Sequence, residues 1–440
     1  GVTRFAFADQ GTDVVGVRQG EHFKRLRNAY TEWTVYAQDV QRRGKTPATC
    51  QDCHMSTYPG ICEPGAPKSG QDEPECPSGM HFVARNPGEY PEAFKAVNSA
   101  GPSPVVNHYF SGVDIPLYND FPQFLVDEPT LDVHGIPLGA RRRRDMLLRH
   151  TFRFEIDGAR STGRGLEIPV LIENIGAGHR IPAGFSQERE FWVHLVVKDG
   201  SNRVVYEVGR VDRPDEDLHD KLFVRVNANP SSTDERGRPV GLFGADVRDG
   251  PDVPQWSPPP IFGGTNFRGK GLINFQNGFL RCVRCIGVIG IDGRCEPGPG
   301  QGFFRADRFD DGDYDLDTGE CRSNLVGDNA LFETYFPVGA LDASRGFVRG
   351  PDAIIDTRSL PAFTPVRYTY DLDLAGRRGP FHIEARLMFR SFPPFLIRAF
   401  AQYEREQARR GLRPSGPAVT EEMLKRLDVV ELHRIEVDAR

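Results

Sequence analysis

Nowhere in these 440 residues is there an apolar run near the length a membrane-spanning helix needs, about 20 residues. No transmembrane segment is therefore expected. Charge of one sign is also missing. Lys and Arg number 55 against 61 Asp and Glu, a net charge of −6, which does not imply a nucleic-acid partner. The chain has no H-E-x-x-H helix, phosphate-binding glycine loop, dinucleotide glycine motif or nucleophile elbow, which removes the reaction classes those motifs mark. The opening "GVTRFAFADQ" lacks the basic head and apolar core of a secretory signal, and reads as a mature N-terminus or the first residue of a fragment.

Cysteine is scarce, at 8 residues, yet two of them stand three apart with a histidine directly after, in "TCQDCHMS". Random placement of 8 Cys and 11 His would produce C-x-x-C-H roughly 0.004 times per chain. A zinc half-site explains the cysteines, and Cys282 and Cys285 offer a second pair, but zinc leaves the adjacent histidine unexplained. Covalent haem explains all three residues. Cys50 and Cys53 add across the vinyl groups, and His54 becomes the fifth iron ligand. The second C-x-x-C, "RCVRCIG", carries Ile286 where that ligand would stand. The other cysteines form an even, clustered set in loops. Cys62 and Cys76 are one cluster, and Cys282, Cys285, Cys295 and Cys321 the other. They read as disulfides of an oxidising compartment, periplasmic or at the cell surface.

Residues 20–43 repeat apolar positions at helical spacing through Phe23, Leu26, Tyr30, Trp33 and Ala37, ended by Gly44 and Pro47. Residues 56–105 are rich in Gly, Pro, Ser and Asn and read as a long loop. From about 148 the pattern alternates with period two. "FRFEI", "LEIPVLIENI", "EFWVHLVVKDG" and "NRVVYEVGRV" are strands, the last two joined by a "DGSN" turn. "VRYTYDLDL" and "FHIEARLMF" repeat the pattern, and 395–412 and 419–427 look helical. The expected fold is mainly β with some α. A small helical, loop-rich c-haem domain (1–147) precedes an antiparallel β-sandwich (148–211 and 346–440), interrupted by a disulfide-stapled irregular insert (212–345).

A haem iron needs a sixth ligand or an open site. His108 in "VNHYFSGVD" and His179 in the glycine-flanked "NIGAGHRIPAG" are the candidates, ahead of His22, His81, Met55 and Met80. Asp311, Asp313, Asp315 and Asp317 lie in an alternating acidic run, "DDGDYDLD". It is either a calcium loop or a solvated turn, and its spacing is not that of an EF-hand. The run "RRRR" at 141–144 reads as a solvated face or a docking patch.

Taken in order, "AYTEW", "TCQDCHM", "HYFSGVD", "NIGAGHRIPAG…REFWVHLVVKDG" and "RLMFRSFPPFLIR" resemble the C-terminal half of periplasmic multihaem c-type cytochromes of the cytochrome c-554 type. The resemblance implies that His108 and His179 are distal ligands, each to a different haem. Only one C-x-x-C-H is present here, so at least one of the two has lost its iron, or the other haems sit on another chain. The function expected is electron transfer by one covalent haem c within a periplasmic or extracellular assembly, with other redox proteins or cytochrome subunits as partners. Two alternatives remain: a haem enzyme with an open sixth site acting on a small nitrogen, sulfur or oxygen species, and a mainly structural subunit of a redox complex.

Overall fold

The computed structural model describes residues 29–55, 60–66, 75–85, 95–98, 101–104, 110–117, 124–184, 186, 188–219, 225–227, 266–276, 278–286, 288–289, 295–296, 309–311, 313–314, 321–322, 330–334, 353–355, 359–377, 379–409, 411 and 418–440. In the strands at 95–104, and in those from 225 to 355 apart from 269–276, the backbone is described and the side chains largely are not.

The N-terminal part begins with α1 (Ala29–Arg42) and the single turn α2 (Cys50–His54). The stretch expected as a long loop contains two hairpins. β1 (Gly60–Pro64) pairs with β2 (Met80–Ala84), and β3 (Lys95–Asn98) with β4 (Gly101–Pro104). A disulfide, Cys62–Cys76, ties β1 to the segment entering β2. Few residues there alternate in polarity, so a covalent staple and neighbouring loops do the work that an apolar face does elsewhere. The Cys62 amide donates to the Gly135 carbonyl at 2.8 Å, and the cystine packs on Met146 and Phe82.

A short turn, α3 (Phe124–Asp127), leads to α4 (Ala140–Arg149), which contains the arginine run. The structure corrects the reading of that run as a solvated face or docking patch. Arg144 is 1% exposed and pairs with Asp145 and Asp428. Arg143 is buried and donates to the main-chain carbonyls of Pro137 and Leu138. Arg141 pairs with Asp127 and Asp428, and Arg149 with the buried Glu75. Four charges of one sign in a row look solvated in a sequence. Here Asp127 and Asp428 from other segments, with Asp145 of α4 itself, pair with Arg141 and Arg144, and main-chain carbonyls hold Arg143.

The body of the molecule is the expected antiparallel sandwich. One sheet takes β5 (Phe152–Ile156), β6 (Arg160–Ser161) and β7 (Gly165–Asn174). The other takes β8 (Glu190–Lys198) and β9 (Val204–Val208). The segment 212–345, expected to be irregular, supplies β10 (Arg225–Asn227), β11 (Asn266–Gly269), β12 (Asn274–Phe275), β13 (Gly278–Ile286), β14 (Val288–Ile289) and β15 (Cys295–Glu296). It continues with β16 (Phe309–Asp311), β17 (Asp313–Tyr314), β18 (Cys321–Arg322) and β19 (Ala330–Thr334). β10, β13, β16 and β19, with β20 (Ala353–Ile355), form a sheet of their own. β11 and β12 instead join the two main sheets, β12 against β8 and β11 parallel to β21 (Val366–Asp373).

The chain closes with β22 (Phe381–Arg390), α5 (Pro394–Arg409), a 3₁₀ turn at Glu421–Arg426, and β23 (Val430–Ala439) on the edge beyond β22. The period-two faces read from the sequence are the ones that turn inward. Tyr368 and Tyr370 of β21 and Ile383, Ala385, Leu387 and Phe389 of β22 are fully buried, packed with Leu166, Ile168, Val170 and Ile172 of β7. One polar pair accompanies this core. Arg390 is held by Glu190, both essentially unexposed, and its guanidinium lies over the Trp192 ring.

Candidate functional site

The C-x-x-C-H turn is built by its own first residues. Thr49 caps α2: its hydroxyl accepts from the Asp52 amide at 3.3 Å, and the Asp52 carboxylate accepts from the Thr49 amide at 2.7 Å. One helical turn places Cys50 and Cys53 on the same side, with His54 following. The two thiols are free and not joined to each other. α1 sets where this turn sits. The Trp33 indole donates to the Ala48 carbonyl at 2.7 Å, and the Tyr36 hydroxyl accepts from the Ala48 amide at 3.4 Å. The Tyr36 ring lies against Phe363 on the sandwich, ring centres 5.7 Å apart, so α1 joins the turn to the end of the β-domain.

His54 is latched to the segment at 110–116. Its Nδ1 meets the Ser111 carbonyl at 2.5 Å, and the Ser111 amide donates back to the His54 carbonyl at 2.8 Å. The Phe110 ring stacks on the imidazole at 5.2 Å and is 62% exposed, an apolar surface left uncovered beside the histidine.

His179 sits in the loop from β7 to β8. Asn174, fully buried, shapes that loop. Its side chain donates to the His179 carbonyl at 2.8 Å and accepts from the Ala177 amide at 2.9 Å. Ile181 and Leu360 exchange main-chain hydrogen bonds below it. Gly178 is required by a close approach: a Cβ there would lie 2.9 Å from the Tyr36 ring. The His179 Nδ1 meets the Arg180 carbonyl at 2.9 Å, and the Arg180 amide donates to Glu32 of α1 at 3.0 Å.

These two loops bring the imidazoles of His54 and His179 together, ring centres 6.2 Å apart and planes within 10° of parallel. A carbonyl oxygen can only accept, so each Nδ1 carries the proton and each Nε2 keeps its lone pair. Burial pushes both histidines below their ordinary pKa, toward the neutral form that ligates metals; for His54 the Ser111 carbonyl partly opposes this and His179 adds to it. A metal–imidazole bond is about 2.0–2.1 Å and a ring centre lies about 1.1 Å behind its nitrogen, so two imidazoles that shared one metal would have centres about 6 Å apart or less. The observed spacing matches. A tetrahedral zinc site needs four protein ligands. Among the described residues no group of three or more His, Cys, Asp or Glu gathers as a metal site.

Of the other residues singled out in the sequence, His108 and His22 lie outside the described residues. His81 stands on β2, with its ring against Gly65. Asp315 and Asp317 are also outside the described residues; Asp311 and Asp313 fall on β16 and β17, where only the backbone is described. Cys282 and Cys285 lie on β13, in the separate sheet. Sequence reading did not single out Phe110, Ser111, Asn174, Trp33 or Glu32 as site residues. Their signal was their place in the quoted patches: Glu32 and Trp33 in "AYTEW", Phe110 and Ser111 in "HYFSGVD", and Asn174 at the start of "NIGAGHRIPAG". A second tie went unnoticed as well: Arg189 donates to both oxygens of Asp114 at 2.7 Å, joining the His54 latch to the His179 loop. Among the described residues no helix is long and apolar enough to cross a membrane.

No family model matches the chain, and no curated protein matches it. Among solved structures, the crystal structure of a penta-heme cytochrome c552 from Thermochromatium tepidum is similar at 12% identity with a TM-score of 0.24, over 92% of this chain and 83% of that one. A likeness of this size establishes no shared fold or function.

Proposed function

We propose that this protein is a c-type cytochrome that carries one haem on Cys50 and Cys53, with His54 and His179 as its axial ligands, and that it transfers electrons. The observation that carries this reading is the pair of near-parallel imidazoles 6.2 Å apart, one of them from the C-x-x-C-H turn. Three further features of the site fit the group. Both thiols are free on one side of a single helical turn. Both Nδ1 atoms are held by carbonyls, the outer-sphere contact that fixes tautomer and ring orientation in haem and other metal sites. The exposed Phe110 ring offers an apolar face beside His54.

When bound, the haem supplies a one-electron couple. The chain's part is to hold both ligands, limit water at the iron and set the potential through axial ligation and burial. The Cys62–Cys76 disulfide supports an oxidising compartment, periplasmic or at the cell surface. A single haem needs a neighbouring redox centre, so the partner is another redox protein or cytochrome subunit.

Purified protein should weigh one haem more than its polypeptide and give one haem per chain by pyridine haemochrome, with a low-spin ferric spectrum. His179→Ala should turn that spectrum high-spin while keeping the covalent haem. A bare polypeptide mass sinks the reading. A wild-type high-spin spectrum that shifts on adding nitrite or hydroxylamine replaces it with an open-site enzyme.

A further inference from the structure

One turn of α1 touches both ligand-bearing segments. Glu32 accepts the Arg180 amide at 3.0 Å, and the Arg180 carbonyl receives the His179 ring at 2.9 Å. The next residue, Trp33, holds the Ala48 carbonyl at 2.7 Å, two residues before Cys50. Tyr36, one turn on, meets the Ala48 amide with its hydroxyl and Gly178 with its ring. The two histidines come from segments 125 positions apart in the chain (179 − 54), and no covalent constraint sets their separation. A rigid helix turn gripping both can set it. Of the three residues, Glu32 acts closest to His179, through the main chain of the adjoining residue, and a carboxylate is a stronger acceptor for an amide than a neutral group.

We propose that Glu32 is a positioning residue: by holding the Arg180 main chain, it keeps the His179 ring at the distance from His54 at which both can ligate one iron. This rests on the haem reading above.

The test compares Glu32→Ala, Glu32→Gln and a control on the same helix, Val35→Ala, whose side chain is 64% exposed. Ferric absorption and electron paramagnetic resonance spectra report spin state, and cyanide titration reports how easily the distal ligand is displaced. Glu32→Ala should show a mixture of high- and low-spin iron and bind cyanide roughly ten- to a hundredfold more tightly, the factor for losing one hydrogen bond to a charged acceptor. Glu32→Gln, which keeps an acceptor, should stay low-spin, and Val35→Ala should match the wild type. If Glu32→Ala gives no folded holoprotein, Glu32→Asp, which withdraws the carboxylate by one methylene, should show the same cyanide shift in smaller degree. Spectra and cyanide affinity unchanged in the alanine or aspartate variant overturn the inference while leaving the haem reading intact. Equal cyanide shifts in Glu32→Ala and Val35→Ala also overturn it, since they would report general loosening of α1. Wild-type protein without haem overturns the haem reading, and this inference with it.

Discussion

Around His54 and His179, single side chains act largely by gripping main chain. Asn174 is the clearest case: fully buried, it closes the His179 loop on itself with one donor bond and one acceptor bond. Alanine there strands the Ala177 amide and the His179 carbonyl, at about 1–3 kcal/mol for each buried group left unpaired. The Asn174→Ala protein should therefore unfold at lower denaturant, and on the haem reading proposed above the iron should become partly high-spin; an unchanged midpoint would show that the loop is held by other contacts. Asn174 was legible in the sequence as the end of a strand and the first residue of "NIGAGHRIPAG", without a role of its own. Besides Ala177 and His179, its side-chain amide also reaches the Leu360 carbonyl at 3.5 Å, 186 positions away in the chain.

At the scale of elements, α4 carries the largest departure from the sequence reading. Its arginines look like a surface because the residues that neutralise them are distant. Asp428 receives both Arg141 and Arg144, and is held below the ordinary carboxylate range although its own burial opposes this. Asp428→Asn leaves two guanidinium groups short of a partner, one of them almost wholly buried. Breaking a buried pair from one side costs about 3–5 kcal/mol, but Asp428 is 33% exposed and Arg144 keeps Asp145, so this variant should lose about 1–3 kcal/mol in a thermal or denaturant melt. Loss of less than about 1 kcal/mol would mean that Asp145 and Asp127 suffice. The sandwich strands were legible for the opposite reason. Their inward faces are strictly alternating and apolar, so Val366, Tyr368, Tyr370 and Leu372 announce their own side of the sheet. β23, an edge strand, buries fewer of its residues and carries charge on its open face, and the same reading passed over it.

For the whole molecule the useful variable is pH. His150 stacks on Phe82 at the junction of α4, the β1–β2 hairpin and β23; burial pushes its pKa down to about 4, with His433 and Arg149 adding to the effect. His433 is shifted the same way, mainly by burial. Above pH about 6.5 these imidazoles are neutral in the folded and the unfolded chain alike, and they cost nothing. Between about 6.5 and 4 the unfolded chain takes up protons that the folded chain refuses, so stability falls as pH falls, by roughly 3 kcal/mol for His150 once its folded pKa is reached. Denaturant midpoints measured from pH 7 to 4 should decline along that curve, and His150→Phe, which keeps a ring against Phe82 and cannot titrate, should flatten it. A wild-type profile flat over this window would show that His150 and His433 reach water in the native state.

By itself the sequence determined whatever lies in nearby residues. The C-x-x-C-H turn and its Thr49–Asp52 cap, the alternating strands, and His179 in its glycine-rich loop all rest on local spacing, which follows from helix and strand periodicity. Only the tertiary structure decided that the His179 ring lies beside that of His54, which carboxylates pair with the arginine run, and that parts of the 212–345 segment complete the two main sheets. Those outcomes depend on contacts between residues far apart in the chain. Such contacts form when whole elements dock to bury apolar surface, and no local spacing encodes them.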